Sequence, residues 1–226
     1  MTKKILIILH QSTSTPGRIG RLLENRGYKL DIRRPALGDQ LPQSLKGKFD
    51  GAVMFGGPMS ANDDEDFIKY EKDWIQIPLK ENIPFVGICL GAQLLACSLG
   101  GSIKIKDHVE IGYYPIVPTE YGEKLLKWPP FVHQWHREWM QPPKTANILA
   151  TGKEDDAQAF RYQENAFGIQ FHSELTLAMI NRWLVKAEHR LIMNGAQQRK
   201  YHFEGRFLHD HHVKTWLNDF FDLLLN

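Results

Sequence analysis

The chain has 226 residues, 42% of them hydrophobic and 24% charged, which is the balance of a folded globular protein and excludes disorder as its main state. Its 28 Lys and Arg against 26 Asp and Glu leave a net charge of +2, too even for a dedicated nucleic-acid or membrane-surface binder. A chain of this length buries a substantial core without a disulfide or metal staple.

Ile5-Leu6-Ile7-Ile8-Leu9 is a continuous aliphatic run, the pattern of a strand buried on both faces of a parallel sheet. After the basic start Met1-Thr2-Lys3-Lys4, this run is too short for a signal-peptide core or a membrane span. Pro16 to Arg26 reads as a helix stopped by Gly27, and Tyr28 to Arg33 alternates as a second strand. Phe49 to Phe55 reads as a third strand, ending at Gly56-Gly57-Pro58. The acidic run Asp63-Asp64-Glu65-Asp66 suits the positive end of a helix dipole and opens a helix expected over Phe67 to Glu81. Ile83 to Ile88 is a fourth strand, and Leu90 to Leu99 a helix closed by Gly100-Gly101.

Ser102 to Pro143 holds strands and Pro-rich turns. Ala146 to Thr151, Ala157 to Tyr162 and Ala166 to Phe171 read as further strands, Leu177 to Met193 and His212 to Leu225 as closing helices over 176–226. In the first of these helices Ile180, Trp183, Leu184 and Leu191 fall on a core stripe, and its charged residues read as a solvated face. The alternation predicts an α/β fold, an open and mostly parallel twisted sheet with helices on both faces. No linker or repeat interrupts it, so 1–226 reads as one domain.

Two cysteines, Cys89 and Cys97, form no disulfide framework and suggest a reducing, cytoplasmic setting. On one helix they stand roughly 12 Å apart, too far to bridge. Gly87-Ile88-Cys89-Leu90-Gly91 has the spacing of a nucleophile elbow, with strand before and helix after. The tight turn demands glycine at both flanks, and a thiol at a helix N-terminus is biased toward the reactive thiolate. The competing reading, a small core cysteine in a Gly-rich turn, suits Cys97 better.

Of ten histidines, His172 is the best base. It follows the apolar strand Phe167 to Phe171 and precedes Glu174 by two residues, so both stand past a strand end, where sites in open α/β sheets collect. Glu174 is placed to hold the far imidazole nitrogen. The backbone N–H groups of Leu90 and Gly57 are the expected oxyanion donors. The cluster Phe207-Leu208-His209-Asp210-His211-His212 reads less as a metal site than as the start of the last helix, with Asp210 as its N-cap. No metal is expected.

Phe55-Gly56-Gly57-Pro58, Gly87 to Gln93, Glu110-Ile111-Gly112 and Gly168 to Glu174 together resemble the motifs of class I (triad) glutamine amidotransferase domains, in the family's order, over residues 55–174. More narrowly the chain is similar to the glutaminase domain of GMP synthases, with Trp135-His136-Arg137-Glu138 in place of their Trp-His-Gly-Asp segment. The resemblance implies that Cys89 attacks the side-chain amide of glutamine. His172 then protonates the departing ammonia, and water releases glutamate from a γ-glutamyl thioester. It further implies substrate binding by Gln93, one helical turn past Cys89, and by Trp135 and His136 at the substrate mouth.

Two departures stand out. Ser173 replaces the usual proline, which would loosen the turn, and Arg137 replaces a small residue. No cofactor is implied. No P-loop, synthetase domain or acceptor site is recognisable, so an ammonia consumer would be a separate synthetase or acceptor chain. The glycines at 56 and 57 allow a gate that keeps glutamine turnover slow until such a chain binds. A γ-glutamyl peptidase acting on another γ-glutamyl compound, and a non-catalytic binding protein on the same scaffold, are the alternative readings.

Overall fold

The computed structural model describes residues 3–225, so Met1, Thr2 and Asn226 lie outside the described residues. Strands β1 (Lys4–Ile8), β2 (Lys29–Arg33), β3 (Gly51–Met54), β4 (Phe85–Ile88) and β10 (Ala166–Ile169) are parallel neighbours in the order β2-β1-β3-β4-β10. The sheet continues antiparallel through β9 (Ala157–Tyr162), β8 (Asn147–Thr151) and the short β6 (Val117–Pro118). The central parallel strands are buried on both faces, which is why β1, β3 and β4 lack alternation. Two apolar clusters cover the faces: one gathers Ile7, Val53 and Ile88 with Trp216 and Phe220, the other Leu6, Met54 and Phe85 with Ile68 and Leu94.

Helices α1 (Gly17–Asn25) and α4 (Leu90–Ser98) match the expected ones closely. The helix expected over Phe67 to Glu81 is two, α2 (Asp66–Trp74) and α3 (Gln76–Lys80). Pro78 has no N–H for the Trp74 carbonyl, so the ladder breaks there, and proline is tolerated in the first turn of the new helix. In the middle segment β5 (Ser102–Pro115) and β7 (Phe131–Gln141) pair as a long antiparallel arm, separated in sequence by β6 and α5 (Glu120–Leu125). The expected helix to Met193 ends earlier, as α6 (Leu177–Lys186), followed by a 3₁₀ turn at Glu188–Ile192.

The last helix is a correction. Expected from His212, α7 instead runs Arg199–Leu225, and Asp210 is an interior residue rather than an N-cap. Its carboxylate is taken by Arg18 at 2.5 Å, Arg206 at 3.2 Å and Lys214 at 3.7 Å, two of them one turn away on the same helix. Gly205, which weakens the helical pattern, packs directly on the Tyr113 ring, where a Cβ would collide. Tertiary contacts thus offset an unfavourable local propensity. Among the described residues no three His, Cys, Asp or Glu side chains are placed to hold a metal ion, and no helix is long and apolar enough to cross a membrane.

Candidate active site

The sheet order puts the carboxyl ends of β1, β3, β4 and β10 side by side, and each delivers one part of the site. β4 ends in the turn that carries Cys89. A Cβ on Gly87 would strike the Gly91 carbonyl, and one on Gly91 would strike the Met54 carbonyl, so neither flank tolerates a side chain. Cys89 itself holds φ 51° and ψ −106°, a conformation L residues rarely adopt, at a cost on the order of 1–3 kcal/mol. Its N–H donates to the Ile169 carbonyl at 2.8 Å and its carbonyl accepts from Gln93 N–H at 3.0 Å. The strained residue is therefore locked between β10 and the first turn of α4.

β10 delivers His172 and Glu174. His172 Nδ1 lies 2.7 Å from Glu174 Oε1, with both side chains buried. Burial alone pushes the imidazole pKa down, but the electrostatic pull of Glu174 and of Cys89, with hydrogen bonds to both, outweighs it and raises the pKa to about 10. The turn with Ser173 in place of proline is not loose. The His172 N–H donates to the His133 carbonyl at 2.9 Å, the Arg18 N–H to the Glu174 carbonyl at 2.9 Å, and the Arg18 guanidinium to the Leu175 carbonyl at 2.5 Å.

β3 delivers Gly56-Gly57-Pro58. A Cβ on Gly56 would come within 3.0 Å of His172 Cε1 and 3.3 Å of Cys89 Cβ, so this strand exit lies directly over the Cys–His pair. Cys89, His172, Glu174, Gly56 and Gly57 line one open cleft of about 340 Å³, within the range of small-molecule sites.

The model of the glutamine amidotransferase class-I family matches residues 12–190. The chain belongs to this family. A glutamine amidotransferase-like protein of Salmonella typhimurium is 28% identical over 201 residues, covering 83% of this chain and 82% of that one. A glutamine-hydrolysing GMP synthase subunit of Sulfolobus acidocaldarius is 32% identical over 141 residues, 61% of this chain and 73% of its own. The crystal structure of a glutamine amidotransferase from Thermotoga maritima superposes with a TM-score of 0.88 at 27% identity, over 100% of this chain and 99% of that one. One from Methylobacillus flagellatus superposes at 0.91 with 23% identity, over 100% and 94%, which shows the shared fold.

In this amidotransferase the three residues inferred as substrate-binding part company. Trp135 lines the cleft. His136 does not: residues 135–138 lie within β7, not in a loop, and neighbours on a strand face opposite ways. His136 Nε2 sits 3.0 Å from Glu110 Oε2 on the far side, and Arg137 points outward. Gln93 is also buried outside the lining, donating to the Glu138 carbonyl at 2.9 Å and facing Gln170 Oε1 at 3.5 Å.

Three groups beside the site escaped the sequence reading. Gln170 turns its amide nitrogen toward Cys89 Sγ at 3.9 Å. His10, at the end of β1, and Glu71, on α2, form a fully buried pair at 3.0 Å, and His10 Nδ1 donates to the Gly56 carbonyl at 3.2 Å. His10 stands one residue past an aliphatic strand, the same signal that marked His172, but its partner is 61 residues away and invisible in sequence. The charged face of α6 is not simply solvated either: Arg182, Lys186 and, in the following turn, Arg190 line the cleft. Trp183, assigned to the core, lies against His172 with ring centroids 4.8 Å apart.

Proposed function

We propose that this amidotransferase hydrolyses the side-chain amide of glutamine through Cys89, His172 and Glu174. Cys89 Sγ attacks the amide carbon. The Gly57 and Leu90 N–H groups receive the developing oxyanion. His172 gives its proton to the leaving nitrogen, the C–N bond breaks, and ammonia departs from a γ-glutamyl thioester. Water, deprotonated by His172, then cleaves the thioester to glutamate. Glu174 keeps the imidazole oriented and its charge balanced. Trp135 forms part of the cleft wall, while Gln93 and His136 act from beneath: Gln93 orients Gln170 against Cys89, and His136 with Glu110 steadies β7.

The observation that carries this reading is the convergence of a strained Cys89 with the buried His172–Glu174 pair in one cleft. The Gly56 carbonyl is tied to His10. In a trans peptide the N–H points opposite to the carbonyl, so Gly57 N–H is turned away from His10. Leu90 opens α4, and its N–H has no intrahelical acceptor. Several relatives are glutamine-hydrolysing GMP synthase subunits by name. By analogy we propose that the ammonia is passed to a separate acceptor chain; the His10 bond already holds the Gly56–Gly57 peptide, so turnover does not wait for that chain.

Ammonia and glutamate are measured together on the purified chain. Equimolar release, abolished in Cys89→Ala and retained in Cys97→Ala, is expected, with a glutamine-analogue alkylating agent labelling Cys89 alone. Labelling of Cys97 with activity following it would overturn the assignment.

A further inference from the structure

Glutamine asks little of the wall that α6 presents. Its leaving group is ammonia, and its α-carbon end carries one positive and one negative charge. The wall offers Arg182 and Lys186 on α6 and continues with His189 and Arg190 in the 3₁₀ turn that follows. None of the four makes an ion pair among the described residues. Among those residues the only carboxylate in the cleft lining, Glu174, is already held by His172. Arg182 is aimed by a hydrogen bond to the Thr13 carbonyl at 3.1 Å.

The position of this wall follows from the chemistry. A leaving amine departs on the side of the acid that protonates it. His172 packs edge-on against Trp183, which lies between Arg182 and Lys186 on α6. The cationic wall therefore flanks the leaving-group side of Cys89. A cleft of about 340 Å³ has room for a leaving group larger than ammonia.

We propose that the cleft accepts γ-glutamyl compounds whose leaving amine carries a carboxylate, that is, anionic γ-glutamyl peptides, with Arg182, Lys186 and Arg190 as the specificity-determining residues. This rests on the Cys89 mechanism above and extends its substrate class. Sγ bonds to the γ-glutamyl carbon, and the peptide C–N bond breaks. The nitrogen leaves with its electron pair and the His172 proton as a free amino acid, and water then releases glutamate. The overall change is γ-glutamyl-X plus water to glutamate plus X, with no further reactant.

The purified full chain is assayed with glutamine, γ-glutamylglycine, γ-glutamylglutamate and the neutral γ-glutamylglycinamide. The expected kcat/KM for γ-glutamylglycine exceeds that for its amide by about tenfold, the scale of one charge contact in a partly exposed cleft, and the ratio falls as salt is raised. Lys186→Gln with Arg190→Gln brings the ratio toward one, Lys186→Glu inverts it, and Lys186→Arg restores it. Lys186 is exposed and Arg190 half-buried, both outside the apolar clusters, and Arg182→Gln is compared separately because of its Thr13 bond. Equal kcat/KM for the acid and the amide, with glutamine still turned over, overturns this proposal alone. No Cys89-dependent turnover of any γ-glutamyl compound overturns the mechanism and this extension with it.

Discussion

Two buried histidine pairs stand a strand apart and are driven opposite ways. His172, past β10, has Glu174 for a partner, and its pKa is raised to about 10 because the surrounding negative charges outweigh burial. His133, on β7, has His202 of α7 for a partner at 3.0 Å. There burial comes first, the other imidazole adds to it, and the His133 pKa falls well below its ordinary value; that of His202 falls too, chiefly from burial. His202 Nε2 donates to the Gln197 carbonyl at 3.2 Å, which leaves its Nδ1 to accept from His133 Nε2–H. Burial is common to both pairs; the partner decides whether the ring is held charged, as the proposed acid–base needs, or neutral, as a strut. The two are joined through the backbone, since the His133 carbonyl holds the His172 N–H.

The largest break in this contrast comes from removing each ring. His172→Ala is expected to lower kcat/KM for glutamine by about 10³-fold or more, as loss of a triad base does. His133→Gln is expected to lower it by no more than about tenfold, through the His172 turn. Equal losses from two folded variants would remove the distinction between acid–base and strut. Glu174→Gln keeps the shape and takes away the charge, so a loss of about 10²-fold in kcat is expected, with KM little changed.

His10 supplies a third case, a buried ring whose work is to hold a backbone peptide. His10→Phe is expected to lower kcat by about 10–100-fold while Cys89 still reacts with an alkylating agent, because the Gly57 N–H is no longer oriented though the nucleophile is intact. Unchanged kcat would show that the Gly56–Gly57 peptide needs no such tie.

The smallest effect is on stability, and it has opposite signs for the two pairs. The folded pKa of His172 lies above its unfolded value of about 6.5, so its pairing contributes stability that is fully present below that pH and is lost as pH rises through about 10. The folded values of His133 and His202 lie below about 6.5, so their contribution is present above that pH and is lost as pH falls. Melting temperature against pH is therefore expected to lose part of its alkaline fall in Glu174→Gln and part of its acid fall in a His133→Gln, His202→Gln double variant. Parallel curves for both variants and the parent would refute the assignment of charge.

Local rules already single out much of this molecule. A strand must end before the elbow, both flanks of Cys89 must be glycine because backbone fills the space a Cβ needs, and His172 and Glu174 are close in sequence and so close in space. The parallel sheet is legible for the same reason: runs such as Ile5 to Leu9 have no place except between two covered faces. What needed the tertiary structure is everything whose partner is distant in the chain. Glu71 reaches His10, and Asp210 draws Arg18 across 192 residues to fix a helix whose local pattern, with Gly205 in it, starts only at His212. Trp135 and His136 look alike in sequence, and only pairing within β7 sends one into the cleft and the other away from it. The cations of α6 face a cleft rather than open solvent because β10 brings His172 against Trp183, and a helical period records which residues share a face without recording what that face meets.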